Sequence, residues 1–379
     1  MSIELTQEQK ELKELIRSFM EREVKPFMSQ YDESGEFPVE IYKKAFELGL
    51  HCLSIPEEYG GSGLSQTTMG ILLEEMGYTD PGFAITMLST ALTLECVLIS
   101  GNEAQKQRAC DIILPGGYGS FCLTEPGNGS DSVALRTTYK EDGDSYILNG
   151  TKCFVTNGQE ADLFIIFATK DRSLGAKGIS AFMVERKTKG LTVGKHENKM
   201  GLRLSCTTDL ALEDARIPKD CLLGEEGKGM HIALAGLDAG RLNNAAIATG
   251  ICQAALDEAV KYAKQRVSFG VPIIRHQAIQ MMLADMAIQT EAARLMVYNG
   301  MQTLDKGEKA TKEASMAKTF CSDAAVKIST DAVQILGGYG YSKEYPVEKM
   351  MRDAKIFQIF EGNNQIQRIV IARALEKEQ

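Results

Sequence analysis

At 379 residues the chain is long for a single core and reads as two or three domains. An apolar share of 44% and a charged share of 25% are ordinary for a globular protein. A formal net charge of −9 disfavours any general affinity for nucleic acid or anionic membrane, so a phosphate-bearing ligand would need a local basic pocket.

The start, MSIELTQEQKELKELIRSFM, is charged and heptad-like, with no signal-peptide apolar region. No run of about 18 apolar residues stands out, so no membrane span is expected. The nine cysteines form no CxxC pair, which points to buried thiols in a reducing, cytoplasmic setting. His51, His196, His231 and His276 are widely separated and show no metal-binding spacing, so no metal is expected.

Residues 1–117 read as helices. Thr6 to Gln9 form a capping box, with Leu12, Leu15, Ile16 and Phe19 following at helical spacing. Pro38 opens a second helix to about Leu48, and Gly60-Gly61-Ser62-Gly63 breaks the chain. Thr67–Tyr78 and Phe83–Ser100 read as apolar helices, the second buried all round, and Glu103–Leu114 is amphipathic. From 118 to 228 the character changes. Ser145–Leu148, Cys153–Thr156, Leu163–Ala168, Ile179–Val184 and Thr207–Leu212 are short β-branched and aromatic runs. Turn signals such as Asp142-Gly143 and Asn149-Gly150 separate them, which predicts a small antiparallel barrel or sandwich. From 229 to 379 helical periodicity returns over 229–265, 273–305 and 309–336, with short segments near 346–353 and 363–376, as in a four-helix bundle. The fold class is therefore mainly α with a central β domain.

Six strings carry candidate chemistry. Phe121–Asp131, FCLTEPGNGSD, offers hydroxyls and unhindered backbone N–H groups; alone it is also an ordinary polar turn. Lys152–Gly158, KCFVTNG, sets an aromatic beside a hydroxyl, and reads equally as a buried strand. Asp238 and Arg241 lie three apart on one helical face, the spacing of a plain ion pair. Arg266–Gly270, RVSFG, supplies a cation that a diphosphate needs in an acidic protein. Gln334–Gly338, QILGG, lets backbone approach closely but lacks the βαβ setting of a Rossmann loop. Finally Ile359–Arg368, IFEGNNQIQR, places one carboxylate, Glu361, beside a glycine, amides and an arginine. Alone it is most simply a solvated carboxylate at a helix start.

Together and in this order, these strings resemble the acyl-CoA dehydrogenases across essentially the whole chain. The resemblance implies an N-terminal helical domain, a middle β-barrel and a C-terminal four-helix bundle. It implies FAD as cofactor, an acyl-CoA substrate, electron-transferring flavoprotein as partner, and a homotetramer. FAD contacts are implied at Phe121, Cys122, Leu123, Thr124, Gly129 and Ser130, and at Phe154, Val155 and Thr156. Arg266, Ser268, Phe269, Gln277, Gln334, Ile335, Gly337 and Gly338 would hold FAD of a neighbouring subunit, and Asn363 and Gln365 would touch flavin. Ser130, Asp238, Arg241 and Gly362 would contact substrate. Glu361 would be the base, since the alternative base position of some members is Gly240 here. Two departures stand out: Phe360 replaces the usual Tyr and Asn363 the usual Thr. The resemblance leaves open an enoyl-CoA reductase running the same site backwards in an electron-bifurcating flavoprotein complex, an oxidase, and a non-catalytic DNA-binding relative. Acyl chain length is not readable; Ile85, Met87 and Leu88 are candidates for the far end of an acyl pocket as well as for core packing.

Overall fold

The computed structural model describes residues 4–377. Helix α1 (Gln7–Phe19) starts on the expected capping box: Gln9 N–H donates to Thr6 Oγ1 at 3.2 Å and Thr6 N–H to Gln9 Oε1 at 3.0 Å. There follow α2 (Met28–Ser34), α3 (Val39–Glu47), α4 (Gln66–Thr79), α5 (Pro81–Ser100) and α6 (Glu103–Ile113). Asp80 caps α5 by accepting from Phe83 N–H at 2.9 Å, with Pro81 in the first turn where its missing N–H costs nothing. Contrary to expectation, α5 is by length and composition apolar enough to cross a membrane. In the fold it packs against helices and strands, with two-thirds of its apolar window buried.

The middle of the chain forms β1 (Tyr118–Cys122), β2 (Thr138–Asp142), β3 (Ser145–Thr156), β4 (Ala161–Thr169), β5 (Ile179–Glu185), β6 (Leu191–Val193), β7 (Thr207–Pro218) and β8 (Leu222–Leu223). The ladder runs β6-β7-β3-β2-β4-β5-β8, with β1 added beside β4. Most pairs are antiparallel, as the turn signals predict. The exceptions both involve β4: β1 lies parallel to it from Tyr118↔Ala161 to Cys122↔Ile166, and β2 meets it in parallel at Thr138↔Thr169. A strand entering from a helix carries no hairpin turn to give its direction away. Strand β4 reads as one unbroken apolar run because it is covered on both faces. Leu163, Ile165 and Phe167 face α5 and α6, while Phe164, Ile166 and Ala168 face a second core with Tyr139, Leu148 and Phe182.

The C-terminal part comprises α7 (Gly229–Ala235), α8 (Leu237–Gln265), a two-stranded hairpin of β9 (Val267–Ser268) and β10 (Val271–Pro272), α9 (Gln277–Asp305), α10 (Thr311–Leu336), α11 (Val347–Ala354) and α12 (Asn364–Lys377). The single helix expected over 229–265 is broken at Gly236, whose non-helical backbone separates α7 from α8. The long helices α8, α9 and α10 do not close a core by themselves; α4 packs on α8 and α9. The crossing is close because it is made at glycines. A Cβ on Gly77 would lie 2.4 Å from Ile247 O, and one on Gly250 2.2 Å from Glu74 O. One core thus runs from Ile16 and Phe83 through Ile247 to Ile328 and Phe357.

A buried charge cluster ties the parts together. Lys349 Nζ donates to Asp80 Oδ2 at 2.7 Å and to Asp353 Oδ2 at 2.6 Å, while Asp353 Oδ1 accepts from Leu202 N–H at 2.7 Å. The start of α5 and helix α11 therefore meet on one ammonium, and Asp353 ties the β6–β7 connection to it.

Candidate active site

Two strands and a turn build one wall. Pairing of β3 with β7 is interrupted between Lys152 and Val155, and this bulge swings Phe154 into left-handed backbone at φ 54°. Phe154 is left 68% exposed, although it lies between two buried neighbours. The turn after β1 docks on the bulge. Cys153 N–H donates to Thr124 O at 3.0 Å, and Lys152 Nζ reaches Leu123 O at 3.3 Å. Lys152 also pairs with Glu125 Oε1 at 2.7 Å, both side chains essentially without solvent exposure. Glu125 further accepts from Arg136 N–H at 2.6 Å and Thr137 N–H at 3.0 Å. Burial alone would raise the Glu125 carboxyl, but the Lys152 charge and these hydrogen bonds bring it below the ordinary carboxylate value. Both residues lie inside sequence motifs that assign neither of them a role. Their separation of 27 residues hides a pair that only strand pairing brings together.

The expected contacts on this wall divide by direction. Thr124, Gly129 and Ser130 sit on the turn, and Thr156 is half-buried at the end of β3. Cys122 and Val155 differ from expectation: their side chains are packed in the β core, so only their backbone is available to a ligand. Phe121 packs on Phe167 at 4.9 Å between ring centroids, and Leu123 joins the same cluster.

The opposite wall is the 359–368 segment. Glu361 adopts φ 56° and Gly362 φ 79°, a tight left-handed corner before α12. Asn363 accepts from Ile366 N–H at 3.0 Å and so caps α12, while its Nδ2 donates to Ser130 Oγ at 2.8 Å. That bond joins the first and last motifs across 233 residues. Asn364 Nδ2 is held by Thr319 O, Ser322 Oγ and Asp323 Oδ1, and Lys318 Nζ donates to Gly362 O and Asn364 Oδ1, both at 2.9 Å. Gln367 Nε2 adds bonds to Glu361 O at 3.1 Å and Gly362 O at 2.9 Å. Lys318 and Gln367 carry no role in the sequence reading, and Asn364 enters it only within the Asn363–Gln365 flavin contact; all three are buried polar residues.

The corner delivers the Glu361 carboxylate into a densely packed, partly open gap. Burial raises its pKa above the ordinary 4.5, opposed by the charges of Arg241 and Lys318. Burial in turn lowers Lys318 to about 8. Arg241 on α8 lies beside Asp238 at 3.5 Å, and its buried Nε has no hydrogen-bond partner among the described residues. Asp238 also accepts from Thr311 Oγ1 at 2.7 Å. A Cβ on Gly240 would stand 3.7 Å from Glu361 Oε2, so positions 240 and 361 face one another. The Glu361 N–H makes no hydrogen bond among the described residues and remains available to an oxygen acceptor. Ile85 and Met87 are buried in the helical core, whereas Leu88 is half-buried.

The remaining expected contacts gather elsewhere. Arg266, Ser268, Ile335, Gly337 and Gly338 line one open cavity of about 590 Å³ with Tyr262 and Tyr339. The Arg266 guanidinium lies 5.9 Å from the Tyr339 ring centroid, and nothing stands within 4 Å of a Cβ at Gly337 or Gly338. Phe269, Gln277, Gln334 and Gln365 lie exposed on the surface outside this lining.

Comparison with known proteins agrees with the geometry. Residues 6–116, 120–215 and 227–376 match the N-terminal, middle and C-terminal domains of acyl-CoA dehydrogenase. The chain belongs to the acyl-CoA dehydrogenases, oxidoreductases acting on CH–CH bonds, whose members are flavoproteins. The short-chain specific acyl-CoA dehydrogenase of Bos taurus is 47% identical over 99% of this chain and 92% of its own. A 3-(aryl)acrylate reductase of Clostridium sporogenes is 44% identical over 98% of this chain and 99% of its own. A chain in the solved structure described as the electron-transferring flavoprotein of Acidaminococcus fermentans, a study of flavin-based electron bifurcation, superposes with a TM-score of 0.97. It is 44% identical, with all of both chains covered.

The bulge at Phe154 allows a separate check. A phenylalanine held at positive φ costs on the order of 1 kcal/mol that glycine does not. Phe154→Gly is expected to leave the flavin-free protein no less stable in urea while weakening flavin retention. A variant that unfolds earlier and keeps its flavin would contradict this role.

Proposed function

We propose that this chain is an FAD-dependent dehydrogenase of short acyl-CoA thioesters. The observation that carries the reading is the desolvated carboxylate of Glu361, on a segment that Asn363 bonds to the Ser130 turn, the turn that docks on the bulge bearing the exposed Phe154. The residues fit the cofactor. Phe154, Thr156 and Thr124 would take the flavin ring, and the cavity of Arg266, Gly337 and Gly338 has the charge and clearance for a diphosphate from a second subunit of a homotetramer. FAD bound there would supply a hydride acceptor for the substrate's β-hydrogen and a two-electron store for an external carrier, for which we propose electron-transferring flavoprotein.

The rest is the work of this chain's own groups. A thioester oxygen at the Glu361 N–H gains a donor aimed at the charge that builds there, typically about 3–4 kcal/mol. Glu361 then removes the α-proton; its raised pKa makes it a stronger base near neutrality than an exposed glutamate. Arg241, beside Asp238 and near Glu361, keeps the gap from being a purely negative site. The left-handed corner at Glu361–Gly362 presents backbone N–H and carboxylate to the same small volume.

The similarity to an acrylate reductase supports a second reading, in which protonated Glu361 delivers its proton to an enoyl-CoA. A panel of acyl- and enoyl-CoA esters titrated against the FAD-loaded protein separates the two. Bleaching by butyryl-CoA supports dehydrogenation. Turnover of enoyl esters with reduced carrier, without bleaching by any saturated ester, supports the reductase. A flavin silent to every ester would overturn both.

A further inference from the structure

Along α5, Leu88, Leu92 and Glu95 form a half-open stripe at helical spacing. Leu92 Cδ1 lies 3.6 Å from where a Cβ on Gly236 would stand, and Glu361 Oε2 lies 3.7 Å from the corresponding point on Gly240. Those glycines are four residues apart at the α7–α8 break, so Leu92 and the Glu361 carboxylate border the same gap. Glu95 follows Leu92 by three residues on the same face, about 4.5 Å further along the helix. The Cys96 thiol beside it feels the charge of both Glu95 and Glu361.

A carboxylate is an unexpected group here. The neighbouring core is apolar, with Leu94, Val97 and Cys52. Ser54 Oγ donates to Glu95 Oε1 at 2.5 Å, and Glu95 has no ion pair among the described residues. Burial raises its pKa, with the Ser54 bond opposing. An apolar residue would serve plain packing better, since a desolvated carboxyl needs partners for both oxygens. Ser54 supplies one; the second oxygen accepts no hydrogen bond among the described residues.

We propose that Glu95, oriented by Ser54, closes the far end of the acyl pocket and selects short acyl groups that end in a hydrogen-bond donor, a hydroxyl or an ammonium. The assignment rests on the acyl-CoA reading of the Glu361 site. Glu95 acts on specificity, not on the reacting carbons. A pocket that must hydrogen-bond its ligand discriminates strongly against an analogue lacking the donor, because a buried polar group is then left unpaired. Each alkyl carbon added in place of the donor meets a desolvated carboxyl instead of hydrocarbon.

The test uses the FAD-loaded full chain with butyryl-CoA, 4-hydroxybutyryl-CoA, 4-aminobutyryl-CoA and hexanoyl-CoA, following flavin bleaching and steady-state KM and kcat. The expected result is a kcat/KM at least tenfold higher for a donor-terminated ester than for butyryl-CoA. Glu95→Leu, with flavin content and circular dichroism as folding controls, should erase that ratio through KM and improve use of hexanoyl-CoA. Ser54→Ala, the milder change, should reduce the ratio several-fold. The hydroxy and amino esters separate a neutral donor from a cation. A ratio unchanged within twofold in both variants, or a wild type that ranks butyryl-CoA first, overturns the Glu95 assignment while leaving the dehydrogenase reading intact. Absence of bleaching by every ester overturns both.

Discussion

Glu361→Gln is expected to bind FAD with a normal visible spectrum and to lose bleaching by acyl-CoA by a factor of about 10²–10⁴. Glutamine keeps the shape of the side chain and leaves the corner undisturbed. That corner is held by Lys318 and Gln367 through the carbonyls of Glu361 and Gly362, not through the carboxylate. The variant should be no less stable than the wild type, and the sign can be worked out. The folded pKa of Glu361 is raised, so any contribution to stability is present below its unfolded pKa and is lost as pH rises through the folded value. At neutral pH the ionised carboxylate is therefore a burden on the fold that the amide removes. Lost activity with an undiminished unfolding midpoint isolates chemistry from damage. The wild-type rate should also show an ascending limb as pH rises past the ordinary carboxylate value of 4.5, and the residual rate of the variant should lack it. Substantial rapid bleaching by Glu361→Gln would remove this residue from the role of base.

What the sequence makes legible follows from the range of each interaction. Local signals survive: the capping box at Thr6, the helical periodicities and the paired turn residues all act within a few positions. The broken helix at Gly236 was invisible because one glycine inside an apolar pattern is tolerated in many helices. The parallel entry of β1 was invisible because its partner lies some forty residues on and no tight turn joins them. The same division holds in the site. Glu361, Ser130 and Asn363 could be named from motif strings, but the bond that joins Ser130 to Asn363 spans the chain and depends on the tertiary fold. Side-chain direction was also out of reach. Within the string Phe154-Val155-Thr156 the bulge decides that Phe154 faces out while Val155 faces the core, and strand alternation alone does not reveal a bulge. Asn363, where the family usually has threonine, keeps the helix-capping oxygen and adds an amide N–H long enough to reach Ser130.

Lys152→Met should be the most damaging single change in the middle domain, at about 3–5 kcal/mol. The ammonium has no solvent exposure and its partner Glu125 has almost none, so removing the cation strands a carboxylate that water cannot reach. Burial then acts on Glu125 without its main opposing charge, and the two backbone donors of Arg136 and Thr137 are the remaining support. The damage should spread to the ligand side. Lys152 also holds Leu123 O, and with Cys153 N–H it fixes the turn that carries Thr124 and Ser130 against the bulge that carries Phe154. Flavin retention should therefore fall together with the urea midpoint, unlike Phe154→Gly, which separates them. Adding Glu125→Gln to Lys152→Met should recover much of the loss, because the amide oxygen still accepts from a backbone N–H and no buried charge is left unpaired. The acid side gives an independent reading. The Glu125 pKa is depressed in the fold, so its stabilising contribution is present above the unfolded value and lost as pH falls through the folded one. The doubly substituted protein should lose less stability between pH 5 and about pH 3 than the wild type. If Lys152→Met unfolds within about 1 kcal/mol of wild type and keeps its flavin, the pair is not what holds the turn in place.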